Sequence, residues 1–383
     1  MYSLFMGLTR LYNKFFPKRF GEYWKKIKDN PKLDDDIKNI TNTFIKSESY
    51  QYVSNYWHIL NIESYKSLLD KGLINFGSTL AKNYFTYTDF NEEYLIHSFS
   101  NFNDKSQIKF KGNIFKKHSN FNYKQSFVYN YLCLLLYENL KKTDYFKFLH
   151  KLNDKTYLGF NDPFITIDDT NVSTDKLNSL FDIEKINSFN KLENVNTLLE
   201  IGSGSGRLSE CIMTFNKKIN YVICDIPPAI YVAFKRLKLA FPDKKISLLI
   251  NDHNKESLEK EIKNNDITFI FPSQLKLLSD KLFDLVLAID CFHEFDKKTI
   301  NIYFQLINKL TNNFYFSIWS STKNYYYKNG KLKFVFERDQ ILNKKERLDF
   351  EKGDYPIPRN WENVFKKNLI FPSNQIGLGY IIK

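Results

Sequence analysis

Three short stretches of this 383-residue chain carry residue types whose spacing suits chemistry. The first is Glu200-Ile201-Gly202-Ser203-Gly204-Ser205-Gly206-Arg207, with glycines at alternate positions behind an acid. Glycine lets backbone N–H groups approach a ligand closely, and a helix starting just beyond adds a favourable field. The dinucleotide fingerprint G-x-G-x-x-G does not fit. Counted from Gly202 it needs glycine where Arg207 stands, and from Gly204 where Ser209 stands. The second is Asp225, closing the apolar run Tyr221-Val222-Ile223-Cys224. An acid about 20 positions past the first glycine can accept from both hydroxyls of a ribose diol. The alternative is a cap on the helix that Pro227-Pro228 would open. The third is Asp290-Cys291-Phe292-His293-Glu294, which follows the apolar run of residues 283–289.

In that third stretch His293 has the side chain best suited to removing a proton, because an imidazole titrates near neutrality. Glu294 can orient the ring or hold an acceptor, and Asp290 is the next base to test. The alternative is a helix start, with His293 as its cap and Glu294 favouring its dipole.

The glycine spacing resembles the S-adenosylmethionine-dependent methyltransferases of class I, Rossmann-like fold. Taken with Asp225-Ile226-Pro227-Pro228-Ala229 and Phe292-His293-Glu294-Phe295, it resembles the sugar O-methyltransferase family found among bacterial surface-polysaccharide genes. Looser matches are Asn83-Tyr84-Phe85, Ser173-Thr174-Asp175 with Ser179, and Tyr355-Pro356-Ile357-Pro358. One departure is Phe295, where a Met is expected after His-Glu. With the reading of the strand ends, the resemblance implies S-adenosyl-L-methionine as cofactor. Its contacts would be Glu200, Gly202, Ser203, Gly204, Gly206, Asp225, Ile226, Gln274 and Asp290. It further implies direct methyl transfer to a sugar or glycan hydroxyl, with His293 as base aided by Glu294 or Asp290. Trp57, Tyr84 and Tyr355 would bind the substrate, and no metal is expected, although Asp252, His253, Asp290, His293 and Glu294 leave metal dependence open without matching a standard site.

The elements that must position these residues follow an α/β rhythm after residue 190. Apolar runs at 198–201, 221–224, 266–271, 283–289 and 314–319 read as strands and 246–250 as a short strand or an insertion, with helices at 207–215, 229–241 and 297–310 between them. Such alternation implies an α/β fold with a mostly parallel, doubly wound sheet, whose ligands sit at the carboxyl ends of the strands. Gly206, Asp225, Gln274 and His293 then share one rim. Residues 376–382 read as a last, edge strand. Residues 34–190 read as mostly helical, with a buried helix at 127–140 and another at 175–189 capped by Ser173 or Thr174. We therefore expect a helical acceptor-binding cap over residues 1–190 and a cofactor-binding domain over 191–383.

Composition sets outer bounds. A formal charge of +13 admits nucleic acid as a partner. However, the richness in Lys, Asn, Ile, Phe and Tyr looks like AT-rich coding bias, which weakens that inference. No Asn-Pro-Pro-Tyr motif follows the fourth strand and no RNA-binding appendage is recognisable, so no nucleic-acid partner is expected. A nucleic-acid methyltransferase, an enzyme of another small-molecule hydroxyl and an inactive scaffold stay open as rivals. Cys133, Cys211, Cys224 and Cys291 form no C-x-x-C pair and read as reduced core residues. Neither a signal peptide nor a run of about 20 apolar residues is present, so a cytoplasmic location is expected. The basic, aromatic residues 9–28 could touch the inner face of a membrane, or pack on their own domain. An oligomer is open.

Overall fold

The computed structural model describes residues 27–76, 112–152, 160–319, 326–333, 361–367 and 375–382, apart from residues 28, 32, 48, 120, 293, 294, 296, 329 and 330. Eight strands build the central sheet: β1 Thr197–Ile201, β2 Asn220–Cys224, β3 Ile246–Leu248, β4 Ile267–Ile270, β5 Leu285–Ile289, β6 Asn313–Trp319, β7 Trp361–Lys367 and β8 Gln375–Ile382. Their order is β7-β8-β6-β5-β1-β2-β4-β3. Strands β1 to β6 pair in parallel, whereas β8 runs antiparallel to both β6 and β7. β4 and β5 are buried throughout, and β1 and β2 are buried beyond their first residue, because helices cover both faces of a parallel sheet. From β1 the chain winds outward through β2, then returns to β5 on the other side. This reversal opens a crevice at the carboxyl ends of β1 and β5. A doubly wound sheet closed by one reversed strand is the Rossmann-like fold of the class I methyltransferases.

One expectation needs correcting. The last strand is not an edge: β8 lies inside the sheet, with β7 outside it. Tyr380 of β8 is buried and stacks on Phe316 of β6, with centroids 5.7 Å apart. The edge falls instead to β7.

Helices α1 Asp35–Lys46, α2 Asn55–Lys71, α3 Tyr123–Leu140 and α4 Thr174–Phe189 precede the sheet, with a small hairpin (Ile165–Ile167 with Thr170–Val172) before α4. Within the sheet region lie α5 Arg207–Phe215, α6 Ala229–Ala240, α7 Lys255–Asn264 and α8 Lys297–Leu310. Ser173 caps α4 by accepting from the Lys176 amide at 3.2 Å. Hydrophobic packing crosses residue 190 without a break. Ile40 and Phe44 of α1, Leu136 of α3 and Leu180 of α4 share one core with Leu198, Tyr221 and Ile223 of the sheet. Leu199, Val222, Val286, Phe304 and Phe316 build the core on the opposite face.

Hydrogen bonds hold the first helices across the sheet: Thr43 donates to Asn251 at 2.8 Å, Ser49 meets Ser273 at 2.5 Å, and Tyr231 donates to Asp34. No helix among the described residues is long and apolar enough to cross a membrane. The basic residues 9–26 and Lys28 lie outside the described residues.

Candidate functional site

The glycine loop leaves β1 as a turn whose geometry depends on its sequence. Gly202 has φ +74°, and a Cβ there would lie 2.8 Å from the Cβ of Cys291. Only a residue without a side chain lets the end of β1 pass this close to the end of β5. Gly206, at the cap of α5, packs on Ala233 of α6, which an added Cβ would meet at 3.2 Å.

Asp225 ends β2 and is buried. Its carboxylate accepts from the Gly204 amide at 2.8 Å, the Ser203 hydroxyl at 3.3 Å and the Ile226 amide at 2.7 Å. It therefore holds the glycine loop, and among its described partners none belongs to the first turn of α6. Burial pushes its pKa up to about 7, against the pull of those donors. Glu200, also buried, accepts from Ser209 at 2.5 Å and Tyr221 at 2.8 Å. Burial raises its pKa while the two hydroxyls oppose the rise.

Asp290 follows β5 with a left-handed φ of +56°, uncommon for any residue but glycine. Its amide donates to the Ser317 carbonyl at 3.1 Å, and its carboxylate accepts from the Ser317 hydroxyl at 3.1 Å. The other carboxylate oxygen faces Arg207 Nη2 at 3.6 Å. Arg207, the first residue of α5, also donates to Ser179 of α4 at 2.8 Å and lies 3.5 Å from Asp182. Nearby, burial lowers the pKa of Lys185 to about 8, while Asp182 and Asp290 pull it upward.

These groups meet in one cavity of about 890 Å³, counting its open mouth. Glu200, Gly202, Ser203, Gly204, Asp225, Ile226 and Asp290 line it together with Arg207, Cys291 and Phe295. From the other side Tyr52, Val53, Ser54 and Trp57, at the start of α2, complete the wall. Among the described residues, the lining carries three carboxyl groups (Glu200, Asp225, Asp290) against one guanidinium. That balance suits a cationic ligand.

Gln274 has a different task from the one its rim position suggested. It is fully buried, accepts from the Phe271 amide at 2.7 Å, and donates to the carbonyls of Leu249 and Asp252 at 2.7 and 2.5 Å. Pro272 lines the cavity in its place, and Gln274 does not. Gly206 also stands behind the lining rather than in it. His293, Glu294, Tyr84 and Tyr355 lie outside the described residues. The sequence reading missed Arg207, whose signal was a cation at the first helical position after the glycines. It also missed Tyr52, Tyr303 and Cys291, whose approach to the cavity depends on tertiary packing.

No family model and no curated protein matches the chain. Among solved structures it is similar to the methyltransferase domain of bacterial CtHen1, with 15% identity over 52% of this chain and 97% of that one, at a TM-score of 0.35. The pyocyanin biosynthetic protein PhzM shares 11% identity over 65% of this chain and 62% of its own, at 0.35. The plantazolicin methyltransferase BpumL, solved in complex with SAH, shares 13% over 65% and 94%, at 0.33. The fold assignment rests on the strand order above and not on these distant likenesses.

Proposed function

We propose that the chain is an S-adenosylmethionine-dependent O-methyltransferase whose acceptor is a hydroxyl of a sugar or glycan. One observation carries the reading: the glycine loop, Asp225 and the end of β5 share a cavity with Trp57 from a helix outside the sheet. The residues present fit the cofactor. Gly202 leaves room that a Cβ would close, a buried carboxyl stands at the end of β2, and acids outnumber cations in the lining. When bound, S-adenosylmethionine supplies an electrophilic methyl on a sulfonium.

The chain's residues do the remaining work. Asp225 accepts from the ribose hydroxyls, and the glycine loop, free of a side chain at Gly202 and Gly204, lets the ligand lie close to its backbone. Ile226, Ile289, Phe295 and Tyr303 give the cavity apolar walls that exclude water. Trp57 offers an aromatic face to a sugar ring, and the helical residues before about 190 act as the acceptor-binding cap. His293 is assigned as general base, with Glu294 orienting it and Asp290 as second candidate, on their place in the sequence after β5.

The test is incubation of the full chain with labelled cofactor and a panel of nucleotide-linked sugars and capsule oligosaccharides, read by mass spectrometry. A methylated sugar is expected, insensitive to chelator. His293→Ala should lose turnover by about 10²- to 10⁴-fold at nearly unchanged cofactor affinity. Methylation of RNA or DNA in place of any sugar would replace the acceptor assignment, and a variant with full turnover would remove His293 as base.

A further inference from the structure

We infer that the start of α3, with the segment 113–117 packed on it, is a docking surface for a bilayer of anionic phospholipid. Phe115, Tyr123 and Phe127 enter the boundary between headgroups and acyl chains, while Lys117 and Lys124 meet the phosphates. The surface lies apart from the cofactor cavity, and the inference does not depend on the methyltransferase reading.

A single apolar side chain on a surface needs no explanation, but a contiguous patch does. Among the described residues five large hydrophobic side chains are exposed, and three of them, Phe115, Tyr123 and Phe127, stand together. Phe115 and Tyr123 are each 74% exposed. Tyr123, Phe127 and Tyr131 follow one another at every fourth position of α3, so they share one stripe of the helix. Phe115 stacks on Phe127 with centroids 5.8 Å apart, and Phe127 on Tyr131 at 6.1 Å. The row thus runs on from the helix to the segment before it.

Buried polar groups hold that segment in place. Asn130 donates to the carbonyls of Ile114 at 2.9 Å and Lys116 at 2.7 Å, the two that flank Phe115. The Asn130 carbonyl oxygen meets His118 Nε2 at 2.6 Å, and the His118 amide donates to the Ser126 hydroxyl at 3.1 Å. Asn130, His118 and Ser126 are all buried. Phe115 is therefore displayed by a fixed turn. On the helix, Asn122 and Gln125 form a capping box beside Tyr123. A platform fixed before docking loses little freedom when it docks.

Charge and ring geometry select the occupant. Residues 112–137 contain Lys116, Lys117 and Lys124 and no acid. Lys116 donates to the Phe164 carbonyl at 2.9 Å. Lys117 and Lys124 are exposed beside the rings, the Lys117 ammonium 5.3 Å from the Tyr123 centroid. Rings at interfacial depth with ammonium groups at the level of the phosphates are the pairing an anionic bilayer takes up. A second copy docked by two-fold symmetry would instead set lysine against lysine. Bases and sugar rings stack on open aromatic faces, whereas Phe127 packs against Phe115 and Tyr131, and Lys117 stands over Tyr123. Immersion in lipid makes no such demand, because hydrophobic burial is non-directional.

The experiment is sedimentation of the full chain with vesicles of phosphatidylcholine alone and of phosphatidylcholine with phosphatidylglycerol. Wild type should partition onto the anionic vesicles, less so as salt rises, and only weakly onto the neutral ones. Phe115→Ser with Tyr123→Ser leaves the net charge unchanged and should weaken partitioning by about 10- to 100-fold. Lys117→Gln with Lys124→Gln should weaken it by about fivefold per lysine at low salt. All four side chains are exposed, so circular dichroism of both variants should match wild type. A local readout is Phe115→Trp, whose added fluorescence should shift to the blue on anionic vesicles and be quenched by lipids brominated in the acyl chain. The inference falls if wild type ignores anionic vesicles. It falls equally if the serine variant binds them as wild type does, because net charge or the basic residues 9–28 would then carry the binding. A patch that instead holds single-stranded RNA, an acidic oligosaccharide or a second copy, lost in the serine variant while vesicles go unbound, also overturns it.

Discussion

At the scale of single residues, Asp225 is the group whose state a ligand should change. Its pKa of about 7 in the free protein comes from burial, so near neutral pH a sizeable fraction is protonated. Ribose hydroxyls donate to the ionised form and so favour it. Binding at a pH just below 7 should therefore release a fraction of a proton, and affinity should rise with pH until Asp225 is ionised in the free protein, then level off. Calorimetry with S-adenosylhomocysteine in buffers of different ionisation heat measures this release directly, and Asp225→Asn should abolish it. Proton uptake, or release that persists in the variant, would assign the titration elsewhere. Gly202 allows a cleaner packing test because Gly72 provides its control. Both have φ +74°, but a Cβ at Gly72 meets nothing within 4 Å, whereas at Gly202 it meets Cys291 at 2.8 Å. Gly72→Ala should cost only its backbone term, about 1–3 kcal/mol for a combination of φ +74° and ψ 169° that is essentially glycine's alone. Gly202→Ala should add a clash of about 1–3 kcal/mol and weaken ligand binding, a difference readable from denaturant midpoints.

At the scale of elements, legibility in the sequence followed the range of the interactions involved. β1, β2 and β5 were plain because each is an apolar run bounded by turn residues, and the start of α4 was plain because Ser173 is a local cap. The glycines and Asp225 were legible because spacing along one strand-turn-helix unit largely determines their place. Nonlocal pairing was not. Nothing within residues 375–382 says that this strand inserts between β6 and β7, since that depends on partners up to 68 positions away in the paired register. Gln274 misled for the same reason: its rim position was readable, but its three bonds go to backbone groups brought in by folding. The insertion of β8 makes its own prediction. A Cβ on Gly379 would lie 2.4 Å from the ring of Phe189, the last residue of α4. Gly379→Ala should therefore destabilise by about 1–3 kcal/mol. Adding Phe189→Leu should recover part of that loss, a coupling that a double-mutant cycle of unfolding free energies reports. Strictly additive losses would mean that β8 does not rest on α4 at this point.

At the scale of the whole molecule, the question is whether residue 190 divides two bodies or only marks where the sheet begins. A buried network of charges crosses it. Lys176 of α4 pairs with Glu210 of α5 at 3.1 Å, and both side chains are 2% exposed. Glu210 also lies 3.4 Å from Arg236 of α6, which in turn pairs with Asp162 at 2.7 Å. Two cations and two carboxylates thus balance in the interior. Asp175 beside them is held near pKa 7 by its burial, so it need not add a third charge at mildly acidic pH. Desolvation makes such a network a weak source of net stability. Removing one member nevertheless costs about 3–5 kcal/mol, because a buried charge loses its counterpart. Glu210→Gln strips both Lys176 and Arg236 of a partner at once, and the affected groups lie on both sides of residue 190. The midpoint of unfolding should fall, and circular dichroism and tryptophan fluorescence should still trace one coincident transition. Replacing Asp162, Lys176, Glu210 and Arg236 together by leucine or methionine should cost less than Glu210→Gln alone, since no charge is then stranded. Two transitions, of which Glu210→Gln moves only one, would instead make the helical residues and the sheet separate folding units, leaving the cap to act on the cavity as an independent body.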